Sequence, residues 1–124
     1  MATAKILVVN DEEDILRIIV DRLEHYGFEV CTARDGRQGL DLADQEEPDL
    51  VLLDVRMPVM GGMAALDELH RQHPDLPVLI VSASADREVV EESLSRGAVD
   101  YLLKPFEPAE LRDKVFQILR KDIP

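Results

Sequence analysis

The run Leu50–Leu53 is unbroken apolar sequence, with Asp49 before it and Asp54 directly after it. It is too short for a buried helix and lacks the alternation of a half-exposed strand. It therefore predicts a strand covered on both faces, as in the middle of a parallel sheet. The residues that follow punctuate it. Met57–Pro58 excludes helix at Met57, and Gly61–Gly62 permits a tight turn before the next helix. Ligands of open α/β sheets bind beyond the carboxyl ends of the strands. Asp54 is thus at a site-forming position, and what meets it there depends on the rest of the chain.

Three other segments read as strands that end in polar or turn residues. Lys5–Val9 runs into Asn10, Asp11, Glu12, Glu13 and Asp14; Val78–Val81 runs into Ser82, Ala83 and Ser84; Val99–Leu103 runs into Lys104, Pro105 and Phe106. Phe28–Ala33 is more polar and alternating, the pattern of an edge strand. Between the strands lie helical patterns. Leu16, Ile19, Leu23 and Tyr26 share one face of the first helix, which Gly27 ends. Asp35 caps a second, running to about Gln45 and weakened by Gly36 and Gly39. Met63 to about His73 forms the third, closed by Pro74. Asp86 caps a fourth, which has only Val89, Val90 and Leu94 as large apolar residues and ends at Gly97. Pro108 suits the first position of a fifth, with Leu111, Val115, Ile118 and Leu119 inward.

Strand and helix alternate five times, which predicts a single α/β domain over 1–124: a (βα)5 doubly wound parallel sheet, flavodoxin-like. With strand order 2-1-3-4-5, the first and third strands end side by side at the switch point. Asp11 then lies next to Asp54, and Ser82 and Lys104 lie along the same rim. Two carboxylates, a hydroxyl and an ammonium so placed suit Mg2+, which takes hard oxygen ligands and keeps several waters. They also suit phosphoryl transfer, because a carboxylate can attack phosphorus while cations stabilise the transferring group.

The totals exclude other classes. Lys and Arg number 14 against 26 Asp and Glu, a formal charge of −12, and such a surface repels phosphate backbones, so direct nucleic-acid binding by this segment is not expected. No apolar run has the length of a membrane span and no signal-peptide core is present, so a cytoplasmic protein without membrane association is expected. Cys31 is the single cysteine and suits strand packing in a reducing compartment. His70 and His73 have no third ligand for zinc.

Asn10–Asp11 after an apolar strand, Asp54 before Met57–Pro58 and Gly62, Ser82–Ala83, and Lys104–Pro105–Phe106 occur in an order that resembles the receiver domain of bacterial two-component response regulators. The resemblance covers about Lys5 to Leu119. It implies that Asp54 is the phosphoacceptor, receiving a phosphoryl group from a sensor histidine kinase or phosphotransfer protein. It implies that Asp11, Asp54 and the backbone carbonyl of Arg56 hold Mg2+, that Lys104 pairs with a phosphoryl oxygen, and that Ser82 and Tyr101 are the switch residues. It also implies a cis peptide at Lys104–Pro105. The responding surface would be the fourth helix, fifth strand and fifth helix, meeting an output domain, a target protein or a second receiver in a phosphorylation-dependent homodimer.

Asn10 departs from the pattern, since relatives usually have an acid there. Its amide oxygen can still accept from a metal-bound water but brings no charge, leaving two carboxylates, Asp11 and Asp54, and predicting weaker Mg2+ binding. Arg56 and Ser84 are expected to flank the path of attacking water, with Arg56 helping to set the lifetime of the phosphoryl group. Glu12, Glu13 and Asp14 are expected to complement the first helix dipole. Two enzyme or carrier readings fare worse: a haloacid-dehalogenase-like phosphatase lacks its second acid at Arg56, and a flavin carrier lacks a phosphate loop after the first strand. A degenerate receiver that docks partners without phosphorylation is the remaining alternative, because of Asn10.

Overall fold

The computed structural model describes residues 4–55, 62–82 and 87–122. The order is β1 (Lys5–Val9), α1 (Glu13–His25), β2 (Glu29–Ala33), α2 (Gly36–Glu46), β3 (Leu50–Asp54), α3 (Gly62–Gln72), β4 (Val78–Ser82), α4 (Arg87–Ser95), β5 (Asp100–Leu103) and α5 (Pro108–Asp122). The strands form one sheet in the order β2-β1-β3-β4-β5, with every pairing parallel. The expected α/β architecture and strand order are therefore observed, with β2 and β5 at the edges.

Side-chain alternation divides each inner strand between two cores. Ile6, Val8, Leu50, Leu52, Leu79 and Val81 face Leu16, Ile19 and Leu23 of α1 and Leu111, Val115, Ile118 and Leu119 of α5. Leu7, Val9, Val51, Leu53 and Ile80 face Leu40 and Ala43 of α2 and Ala65, Leu66 and Leu69 of α3. Both faces are covered, which is why these strands carry continuous apolar runs. Cys31 packs against the second core, and burial together with the Glu46 carboxylate pushes its thiol pKa up.

The ends of β3 and β4 extend beyond their apolar runs. Asp54 pairs with Val81, and Ser82 with Leu103, so the two polar residues are the last of their strands. Backbone ladders are indifferent to side-chain polarity and continue while a partner strand is present. β5 instead begins one residue late, at Asp100, with Val99 50% exposed.

α4 is tied to α3 by polar contacts, from Ser93 to Met63 and from Arg96, just past its end, to Asp67. Ser93 is fully buried, and its hydroxyl donates to the Val89 carbonyl at 2.8 Å and lies 3.8 Å from Met63 Sδ. Arg96, beyond the last turn, pairs with Asp67 at 2.5 Å and Glu92 at 2.7 Å. The expected shortage of apolar anchors is borne out: Val89 and Val90 are half-buried and Leu94 is 39% exposed.

Gly39 and Gly62 both sit where the chain packs closely against a strand or its exit. Gly39, expected to weaken α2, lets that helix sit on β1, since a Cβ there would lie 3.0 Å from a Val9 methyl. At Gly62 the approach is to backbone: a Cβ would lie 2.3 Å from Val55 Cα and 2.5 Å from the Asp54 carbonyl oxygen. Gly62 N–H also donates to the Val55 carbonyl, 3.2 Å away. Neither obstacle is the flexible end of a side chain, so relief requires moving the chain just after Asp54. Gly62→Ala should destabilise the fold by about 1–3 kcal/mol, the usual cost of overpacking. Urea unfolding checks this, and an unchanged midpoint would show that the segment yields freely.

Candidate functional site

Four strand ends position the site. Asn10 follows β1, and its N–H donates to the Ala33 carbonyl at 3.0 Å, which holds the exit of β1 beside β2. Its side chain is 1% exposed and its amide oxygen accepts from the Glu12 N–H at 2.8 Å. This is an Asx turn, in which a short side chain closes a backbone bend. The turn leads into Glu12, the N-cap of α1, whose own side chain makes no capping bond. Asn10 therefore takes part in starting the helix, which its residue type alone did not disclose.

The turn also brings in a third acid. Asp11, Glu12 and Asp54 each offer a carboxylate oxygen, and these oxygens all lie within 4.8 Å of one another. Asp11 and Asp54 were expected to meet. Glu12 was counted with the residues that complement the helix dipole, a role that Glu13 and Asp14 in the first turn retain. The signal available was Asn10 itself: an Asx turn reverses the chain, so the residue two places on returns toward the strand end.

Opposite the carboxylates stands one ammonium. Lys104 Nζ lies 3.4 Å from Asp54 Oδ2, and the two side chains are 11% and 5% exposed. The Lys104 N–H donates to the Ser82 carbonyl at 2.8 Å, which fixes where the lysine leaves the sheet. Ser82 is itself buried, 2% exposed, at the end of β4 between the strands that carry Asp54 and Lys104. The Lys104–Pro105 peptide is cis. Tyr101, half-buried on β5, packs against the α2–α3 side of the sheet. Arg56 and Ser84 lie outside the described residues.

Desolvation makes an isolated buried carboxylate costly, and Lys104 offsets that cost at Asp54. Three carboxylates this close repel one another, which a hard divalent cation relieves. The all-oxygen donor set fits Mg2+ better than zinc or copper, which favour nitrogen and sulfur. The histidines do not join it: His73 Nε2 pairs instead with Asp44 of α2 at 2.7 Å.

A doubly wound parallel sheet with acids at the switch point and a lysine just past the last strand is the arrangement of a receiver-type signalling module. Residues 6–116 match the response regulator receiver domain, and the chain belongs to that family, a domain of two-component signal transduction. It is 40% identical over 117 residues to the alkaline phosphatase synthesis transcriptional regulatory protein PhoP of Bacillus subtilis, covering 94% of this chain and 49% of that protein. To the transcriptional regulatory protein PrrA of Mycobacterium tuberculosis it is 38% identical, covering 98% and 52%. The chain thus spans about half the length of these curated relatives. Among solved structures, a CheY-like receiver domain protein from Methanospirillum hungatei superposes with a TM-score of 0.92 at 32% identity, covering 97% of this chain and 96% of that one. The receiver domain of NtrX from Brucella abortus gives 0.89 at 36% identity, covering 93% and 98%. Among the described residues, no helix is long and apolar enough to cross a membrane.

The Asx turn has a measurable worth. Asn10→Ala removes the acceptor for the Glu12 N–H and should cost about 1 kcal/mol, typical of a lost cap. Asn10→Ser keeps an acceptor oxygen for the turn without adding a charge beside Asp11, Glu12 and Asp54, and should retain most of that stability. Thermal unfolding of both variants without added metal checks the pair; equal losses would mean the turn is held by something other than this bond.

Proposed function

We propose that this chain is one receiver domain, residues 1–124, that accepts a phosphoryl group on Asp54 from the phosphohistidine of a sensor kinase or phosphotransfer protein. The observation that supports this best is the buried Asp54 carboxylate facing Lys104 at 3.4 Å, with two further acids beside it. A carboxylate oxygen of Asp54 attacks phosphorus, the P–N bond to the histidine breaks, and the imidazole leaves to take up a proton. Lys104 would stabilise the negative charge on the transferring group. Ser82, at the same rim, is the candidate hydrogen-bond donor to the phosphoryl oxygens after transfer, and Tyr101 the aromatic that follows it.

Mg2+ fits the donor set. Asp11 and Asp54 would hold it, with the Arg56 backbone carbonyl, with Asn10 through a water, and with Glu12 at the margin. When bound it would neutralise charge on the phosphoryl oxygens. The surface of α4, β5 and α5 is the candidate readout, meeting an output domain, a target or a second copy. A weakly anchored element such as α4 responds to small changes in free energy. The proposed role is signalling rather than turnover of a substrate.

Incubation with acetyl phosphate and Mg2+ tests the chemistry by intact mass. The wild type should gain one phosphoryl group that Asp54→Ala does not. No gain in the wild type would favour a degenerate receiver that docks its partner without phosphorylation, the reading that Asn10 keeps in play.

The missing charge at Asn10 has its own test. A unit charge about 4 Å away contributes about 1 kcal/mol even in water, so Asn10→Asp should tighten Mg2+ binding by about fivefold or more. Mg2+ titration followed by calorimetry or thermal shift measures this in both proteins. Equal affinities would mean that Glu12 already supplies what position 10 lacks.

A further inference from the structure

The ammonium of Lys114 on α5 lies 5.4 Å from the centroid of the Tyr101 ring and 2.9 Å from Asp100 Oδ2. The two partners are consecutive on β5 and face opposite sides of the sheet. Asp100 pairs in register with Leu79, which belongs to the α1–α5 core, while Tyr101 pairs with Ile80 of the α2–α3 core. Lys114 starts from the α5 side, so its side chain reaches round the edge strand to meet a ring rooted on the other side. Asp100 holds the ammonium where it can do so.

We propose that Lys114 is a positioning residue for Tyr101, latching the ring at the outer edge of β5 and so biasing the receiver against its phosphorylated conformation. The proposal rests on the reading of Tyr101 as the aromatic switch. The edge is otherwise lightly held: Val99 and Leu103, on either side of the ring along the chain, are 50% and 36% exposed. A cation over an aromatic face at a partly exposed site is favourable by an amount that corresponds to about a two- to fivefold population ratio. Moving the ring inward gives up that contact. The competent fraction falls by the same factor, and with it the apparent affinity for any ligand that binds the inward form.

The chain contains two tyrosines, Tyr26 and Tyr101, so 3-fluorotyrosine labelling yields two fluorine resonances, which Tyr101→Phe assigns. Titration with beryllium fluoride and Mg2+, a stable phosphoryl mimic, then reports the half-saturating concentration and the response of Tyr101 together. Lys114→Met should lower the half-saturating concentration about two- to fivefold, Lys114→Arg should restore the wild-type value, and Asp100→Asn should fall between. Thermal unfolding of each variant separates this from a general loss of stability, which would lower the melting point without easing the titration. A Lys114→Met half-saturation equal to wild type, with the Tyr101 resonance still responding, overturns the latch alone. A wild-type Tyr101 resonance indifferent to bound beryllium fluoride overturns the switch reading and the latch with it.

Discussion

The contact between Asp54 and Lys104 depends on two strands that do not touch. β4 lies between β3 and β5, so the 3.4 Å separation is reached only if all three end at nearly the same level. The register provides this: Asp54 is level with Val81, Ser82 with Leu103, and Lys104 is the next residue. A slip of one residue in either pairing would turn the following side chains to the opposite face. The apolar sides of β3 and β4 oppose such a slip, because both cores would then receive the wrong residues. Hydrophobic sorting between the two faces is thus what places a carboxylate opposite an ammonium.

That dependence explains how much was legible beforehand. Strand runs and helix stripes follow from burial, which writes itself into the sequence as period and run length; the strand order rests on the fold class and on the resemblance to receivers. Asp54, Asp11, Ser82 and Lys104 were readable because each stands at or just past the end of a strand segment, and the 2-1-3-4-5 order sends those ends to one rim. Leu111, Val115, Ile118 and Leu119 were likewise readable, and all four are buried as expected. The resemblance to receivers added the cis Lys104–Pro105 peptide, which no periodicity encodes.

What escaped notice depends on geometry at the scale of one turn. Glu12 looks in sequence like any acid at the head of a helix, and only the bend closed by Asn10 turns it toward Asp11 and Asp54. Gly39 looks like a flaw in a helix, because its reason is the Val9 methyl 3.0 Å from where a Cβ would stand. Ser93 adds nothing to the apolar stripe of α4, yet it is fully buried with its hydroxyl turned back to the Val89 carbonyl. In each case the deciding partner is distant in sequence or set by local backbone direction, and neither leaves a periodic trace.

The same distinction bears on how a signal leaves the site. The strands that hold Asp54 and Ser82 are buried on both faces, so they are poor candidates for movement. α4 and β5 are different: one is tied to α3 by the ion pair of Arg96 with Asp67, the other lies at the sheet edge with its Asp100 paired to Lys114. Polar ties of this kind exchange partners at little net cost, because water or a new charge can replace the old one. Apolar cores do not, since any gap forfeits packing over a whole side chain. A rigid pocket joined to a polar-tied edge allows a charge change at Asp54 to be expressed there without loosening the fold that keeps Asp54 in place.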